Sequence, residues 1–339
     1  MDFLHYQFET LGLGRWLREP GVTEICINRP GGFFVEVHGQ WTFHASSNIT
    51  AESVRGFCVA VVNQSRTGQR ITEQEPMVSL TFPGGERAQL VLPPACDADQ
   101  CIVCIRVPPR IQRTLDDLSE QGLFAASEPL ESQHVGSATP QWPSDGDWAR
   151  WLQERVLERR NIVVCGATGS GKTTLMRALV ECIPESERLV TIEDARELFL
   201  HQPNAVHLLY SKGNQGIAKV TARDCLEASL RLRPDRILLA ELRGDEAFYF
   251  LRSCASGHPG SITSCHAGSA EQAWQQMALM VKASPEGSGL EMAAILNLLH
   301  SCIDLVVHIS ATAGRRRVTG IRWSDAVSRS GSIHVPAVN

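Results

Sequence analysis

Residues 166–174 read Gly-Ala-Thr-Gly-Ser-Gly-Lys-Thr-Thr and follow the apolar run Ile162-Val163-Val164-Cys165. This is the G-x-x-x-x-G-K-[ST] pattern of a phosphate-binding loop set between a buried strand and a helix. Gly166, Gly169 and Gly171 permit a tight turn. The backbone N–H groups of the loop, from Gly166 through Ala167, Thr168, Gly169 and Ser170 to Gly171, can then face a phosphate chain at a helix N-terminus. Lys172 is placed to reach the β- and γ-phosphates, and the Thr173 hydroxyl, followed by Thr174, to bind Mg²⁺. The expected ligand is a nucleoside triphosphate.

Transfer of a phosphoryl group to water also needs a group that activates the water, a carboxylate in the Mg²⁺ shell and a sensor of the γ-phosphate. Candidates lie at the ends of apolar strand patterns, where an open α/β sheet puts its ligands. Leu189-Val190-Thr191-Ile192 runs into Glu193 and Asp194, and Glu193 is the candidate for the water. The same residues satisfy a capping box, with Asp194 as N-cap of a following helix and Glu197 as its N3 partner. Ile237-Leu238-Leu239-Ala240 runs into Glu241, the Walker B position, expected to hold Mg²⁺ directly or through water. A third strand, opened by Gly257-His258-Pro259-Gly260, ends in His266, which can contact a γ-phosphate.

These strands belong to a repeating pattern. From residue 160 the chain alternates apolar strands (161–165, 188–192, 236–240, 261–265) with helical segments, the signature of a parallel sheet covered by helices. An amphipathic helix enters this region, with Trp148, Trp151, Leu152 and Val156 on one face. The tail reads as a hairpin, Leu305–Ile309 and Arg316–Trp323 about a turn at Gly314, with Arg315-Arg316-Arg317 at its tip. Those arginines fit a solvated turn, or a contact to acidic lipid or a partner. Residues 1–110 alternate short strands with turns (22–28, 34–38, 41–44, 88–92, 101–107) around a helix at 52–63, a small α+β domain. Pro129, Pro140 and Pro143 among Ser, Gly and Asp mark a linker at 111–147.

A length of 339 residues calls for about two domains. The net charge of −5 provides no global attraction for nucleic acid. Eleven scattered cysteines, an odd number, fit reduced core thiols of a cytosolic protein. The close pair Cys101-x-x-Cys104 lies in a strand, where positions three apart face opposite ways, and no second pair completes a zinc site. No apolar run of about 18 residues is long enough to span a bilayer, and the opening Met1-Asp2-Phe3 has no basic region of a secretory signal. Any membrane association is expected to be peripheral.

Four segments together carry a family resemblance: the phosphate loop, Thr191-Ile192-Glu193-Asp194, Leu232–Arg243, and Gly257-His258-Pro259-Gly260 through Cys265-His266-Ala267. They resemble the four boxes of the secretion ATPases. The segments 239–248 and 256–264 are most similar to the hexameric traffic ATPases of type IV secretion and plasmid conjugation, and 22–30 and 85–94 resemble their N-terminal domain. No four-cysteine zinc module of the type II branch is present. The resemblance implies an α/β chain with an N-terminal α+β domain (1–110), a linker (111–147) and a RecA-like P-loop NTPase domain (148–339) with a helix-covered, mainly parallel sheet. It implies ATP and Mg²⁺ as cofactors and a homohexameric ring at the cytoplasmic face of the inner membrane, docked on secretion-channel components. It also implies arginines from the N-terminal domain at the phosphates, for which Arg87 and Arg106 are the matches. The alternatives are a type II secretion or type IV pilus motor, a nucleic-acid translocase of the same core fold, and a docking platform whose nucleotide only stabilises the ring. Sequence-specific nucleic-acid binding is not expected.

Overall fold

Alternating apolar residues in the first third of the chain build one face of an antiparallel sheet. The computed structural model describes residues 3–65, 68–108, 113–130, 141–211, 219–312 and 315–324. It divides into two compact units: Met1–Ile111 with Ala195–Glu197 and Tyr210–Val220, and Gln112–Asp194 with Leu198–Leu209 and Thr221–Asn339.

The first unit contains α1 (Phe3–Thr10), β1 (Val22–Ile27), β2 (Gly32–Val37), β3 (Gln40–Ala45), α2 (Ala51–Gln64), β4 (Met77–Thr81), β5 (Arg87–Val91) and β6 (Ile102–Arg106). The strands form an antiparallel sheet in the order β3-β2-β1-β6-β5-β4. Thr50 and Ser53 close a capping box that starts α2, whose Val54, Phe57, Cys58, Val61 and Val62 form one apolar stripe. That stripe shares a core with Ile25, Ile27, Val35, Leu90, Val103 and Ile105. The alternation therefore sends Glu24, Cys26, Glu36, Arg87, Gln89, Cys104 and Arg106 to the other, half-exposed face.

The second unit continues with α3 (Leu115–Glu120), β7 (Pro129–Leu130), α4 (Trp148–Leu157), β8 (Ile162–Cys165), α5 (Lys172–Glu181), β9 (Leu189–Glu193), β10 (Ala205–Leu209), α6 (Ala222–Ser229), β11 (Arg236–Leu242), α7 (Glu246–Ala255), β12 (Ile262–Cys265), α8 (Ala270–Ala283), α9 (Met292–Cys302), β13 (Leu305–Thr312) and β14 (Arg315–Trp323). Its eight-stranded sheet runs β10-β9-β11-β12-β8-β13-β14-β7. From β10 to β13 every pairing is parallel, and β14 returns antiparallel to β13. Every residue of β8, β9 and β12 is buried, as expected of parallel strands covered on both faces. The chain thus has the expected α/β class. Asn161 fastens the start of β8 to both neighbours: its Oδ1 accepts from the N–H groups of Gly260 and Ser261, and its Nδ2 donates to Cys302 O. Among the described residues, no helix is long and apolar enough to cross a membrane.

Part of the stretch expected as a linker is structured. Thr114 caps α3 through a capping box with Asp117, and Leu115, Leu118, Leu123 and Phe124 join the core of the second unit. Its few apolar positions, spread among polar ones, hide this role from sequence periodicity. Residues 131–140 of that stretch, and the Gly314 turn, lie outside the described residues.

Candidate nucleotide-hydrolysis site

The phosphate loop leaves the end of β8 at the centre of the parallel sheet. Two of its glycines are required by close approach or conformation. A Cβ at Gly166 would lie 2.2 Å from the carbonyl oxygen of Ile309, and Gly171 adopts φ +104°, the left-handed region. Gly171 is the N-cap of α5 but supplies no side-chain cap, so the first N–H groups of the helix remain available to an anion. The buried Ser170 hydroxyl has no hydrogen-bond partner. An uncapped helix start, an unpartnered buried hydroxyl and an adjacent lysine fit a phosphate chain.

Lys172 is 8% exposed and braces the loop, with Nζ donating to Gly166 O (2.8 Å) and Ala167 O (3.0 Å). Burial pushes its pKa below the usual lysine value, against the opposing pull of Glu241. From Lys172 a line of polar groups crosses the ends of three strands. Nζ is 3.4 Å from His266 Nδ1, and His266 Nε2 is 2.6 Å from Glu241 Oε1. Glu241 Oε2 accepts from Arg243 Nε at 2.7 Å, and Arg243 Nη1 donates to Asp194 Oδ2 at 2.8 Å. The pairing of β11 with β12 shifts register between Leu239 and Leu242, a bulge that aims Glu241 at this cluster. Burial opposes the charge on Arg243, but Asp194 and Glu241 outweigh it and hold its pKa above the ordinary arginine value.

The structure therefore brings Lys172, His266 and Glu241 together, with Thr173 and Thr174 in the first turn of α5. Glu193 stands outside this line. It is fully buried, its Oε2 accepts from the Leu198 N–H at 2.8 Å, and its Oε1 is 4.0 Å from His207 Nδ1. No helix begins at Asp194, so the expected capping box does not form. The reason is local: Glu193 takes the Leu198 N–H, the donor that a first helical turn would direct at the Asp194 carbonyl. Asp194 binds Arg243 instead, and Glu197 forms an ion pair with Arg87 at 2.7 Å. Arg87 and Arg106 are cross-strand partners on β5 and β6, and Arg106 faces Glu24 on β1.

Sequence reasoning gave no site role to Arg243 or Arg316. Of the tip arginines, Arg315 and Arg317 line a groove with Ser310, Thr312 and Thr319. Arg316 turns to the other side, where its Cδ would be 3.0 Å from a Cβ placed on Gly171. Strand alternation at 315–317 is the signal that could have separated them.

A phosphate loop on a central parallel strand, with a histidine and carboxylates at neighbouring strand ends, defines a P-loop nucleotide hydrolase. Residues 144–314 match the family described as Type II/IV secretion system protein. The type IV secretion system protein VirB11 of Brucella suis is 44% identical over 303 residues, covering 87% of this chain and 82% of the relative. That of Bartonella quintana is 39% identical over 331 residues, covering 94% and 92%. Among solved structures, the VirB11 ATPase of the Brucella suis type IV secretion system, in complex with sulphate, aligns with a TM-score of 0.51 at 40% identity, over 94% of this chain and 97% of that one. The chain belongs to the type II/IV secretion system protein family.

Proposed function

We propose that the chain is an ATPase that works as a homohexameric ring at the cytoplasmic face of the inner membrane. There it energises assembly of a type IV secretion or conjugation channel and passage of substrate through it. The observation that carries this reading is the line from Lys172 through His266, Glu241 and Arg243 to Asp194, which joins the phosphate loop to ionisable groups at neighbouring strand ends. The ring and its channel partners are supported by kinship to type IV secretion proteins. Negative-stain microscopy of the full chain with ATP should show six-membered rings, and a persistent monomer would sink the motor.

In this reading the loop N–H groups and Lys172 hold the β- and γ-phosphates. Thr173 and Glu241 would hold Mg²⁺, which when bound neutralises the phosphate charge. His266, half-exposed and hydrogen-bonded to Glu241, senses the γ-phosphate. Arg87 and Arg106 approach the phosphates from the N-terminal domain, residues 1–110. The ATPase domain is taken as 148–339, with the structured part of 111–147 counted with its core.

Glu193, fully buried at the end of β9 with its Oε2 held by the Leu198 N–H, activates the attacking water in this reading. Glu193→Gln should leave affinity for a non-hydrolysable ATP analogue within a few-fold and lower kcat by about 10²–10⁴. Hydrolysis that persists in Glu193→Gln would refute this role. Normal secretion with the variant would favour a docking platform.

A further inference from the structure

The sequence singles out Cys101 and Cys104 as neighbours, but the sheet gives Cys104 a different partner. Cys26 on β1 and Cys104 on β6 stand opposite each other in the antiparallel ladder, between the pairs Ile25↔Ile105 and Ile27↔Val103. Both lie on the half-exposed face, with Sγ atoms 3.2 Å apart. Cross-strand neighbours hold their Cα atoms about 4.5–5.5 Å apart, within the range of about 4.4–6.8 Å that a disulfide spans. The register alone therefore brings the two thiols within bonding range. Cys101, by contrast, is buried and donates to Ala51 O.

We propose that Cys26 and Cys104 are a thiol–disulfide exchange site, oxidised to a cross-strand disulfide by a small-molecule disulfide. Cys104 also differs in acidity from the other thiols of this unit. The hydrogen bond it shares with Cys26 pulls the Cys104 pKa below the ordinary thiol value and pushes that of Cys26 above it. Burial drives Cys58 up to about 12 and raises Cys101 as well, leaving those thiols protonated and inert. Among the described residues, no group of three metal-ligating side chains surrounds the pair, which favours exchange over metal capture.

The chemistry closes without any other reactant. The Cys104 thiolate attacks one sulfur of the small disulfide, breaking its S–S bond and releasing a thiolate that takes up the Cys104 proton through water. Cys26 then loses its proton, and its sulfur attacks Cys104 Sγ in the mixed disulfide. The second small thiolate leaves and is protonated in turn. Two protein thiols are oxidised to one disulfide, and the small disulfide is reduced to two thiols.

The test equilibrates the full chain with oxidised glutathione, quenches in acid, and alkylates the unfolded protein with iodoacetamide. The oxidised chain should carry two fewer alkyl groups than the eleven of the reduced chain. Tryptic mapping should join the peptide holding Cys26 to the one holding Cys104, with fragmentation placing the bond at Cys104 and not at Cys96 or Cys101. Cys26→Ser and Cys104→Ser should each abolish the crosslink and leave a glutathione adduct at most, while Cys101→Ser should retain it. Complete alkylation of all eleven, or a bond that maps to another cysteine, would overturn the proposal. Wild-type mapping needs no variant, so a substitution that misfolds leaves the test intact.

Discussion

Lys172→Ala is expected to weaken ATP binding by about 10²–10⁴-fold and reduce hydrolysis to background. Lys172 acts twice. Its ammonium is the cation that β- and γ-phosphate oxygens would meet, and charge-assisted hydrogen bonds contribute about 1.5–3 kcal/mol each. Two of them, at about 1.4 kcal/mol per tenfold, give the quoted range. Its Nζ also braces the loop through the carbonyls of Gly166 and Ala167, so alanine removes the brace with the charge. Lys172→Arg keeps the charge, but a planar fork replaces a compact ammonium at a position only 8% exposed. It should retain part of the binding and little of the turnover. Titration with a fluorescent ATP analogue and a phosphate-release assay separate these effects. Affinity within threefold of wild type in Lys172→Ala would refute the placement of phosphates on this loop.

Arg236→Ala is expected to destabilise the second unit by about 3–5 kcal/mol, the usual cost of breaking a buried ion pair from one side. Arg236 opens β11 and is fully buried. Its Nε and Nη2 donate to the two oxygens of Glu187 at 2.7 and 2.9 Å, and Nη1 donates to Val156 O at 2.7 Å. Removing the guanidinium leaves the Glu187 carboxylate, 6% exposed, facing a cavity with Arg159 Nη2 at 3.4 Å as its remaining cation, and takes one donor from the Val156 carbonyl. Against a typical total stability of about 5–15 kcal/mol, the loss is large. Urea unfolding followed by tryptophan fluorescence reports it, since Trp148, Trp151 and Trp323 share this core. The double variant Arg236→Met with Glu187→Leu should recover much of the loss, because it leaves no buried charge. An unchanged midpoint for Arg236→Ala would show that the fork contributes nothing.

The catalytic core was legible where one physical cause dominated. Central parallel strands must be apolar throughout, so 161–165, 188–192, 236–240 and 261–265 read directly as strands. β4 was missed because only Val78 and Leu80 of its residues turn inward, too few to register as alternation after a polar stretch. The site was legible to the extent that each group is announced by its own strand end. It was not legible where the answer lay in an orientation. Two adjacent acids at 193 and 194 satisfy the same pattern, and only the fold shows Glu193 turned inward and Asp194 turned to Arg243. Arg243 reaches Asp194 because β9 and β11 are neighbours, a pairing between residues 49 positions apart that no local spacing reports. The Cys26–Cys104 pair, 78 residues apart, is hidden for the same reason, whereas Cys101-x-x-Cys104 is conspicuous and misleading.

The position of β8 in the sheet carries a consequence for the chain as it is made. Among the described residues, the strand behind the phosphate loop pairs only with β12 and β13, which lie about 100 and 140 residues later. At about 5–20 residues per second, the ribosome supplies these partners many seconds after Ile162–Cys165 has emerged. During that interval an apolar strand has no neighbours, a condition that invites pairing with other chains. A product ending before Leu305 would contain the whole phosphate loop and still leave this strand with an open edge. Such a fragment is expected to depend on chaperones or aggregate, although it lacks none of the residues assigned to binding the phosphates.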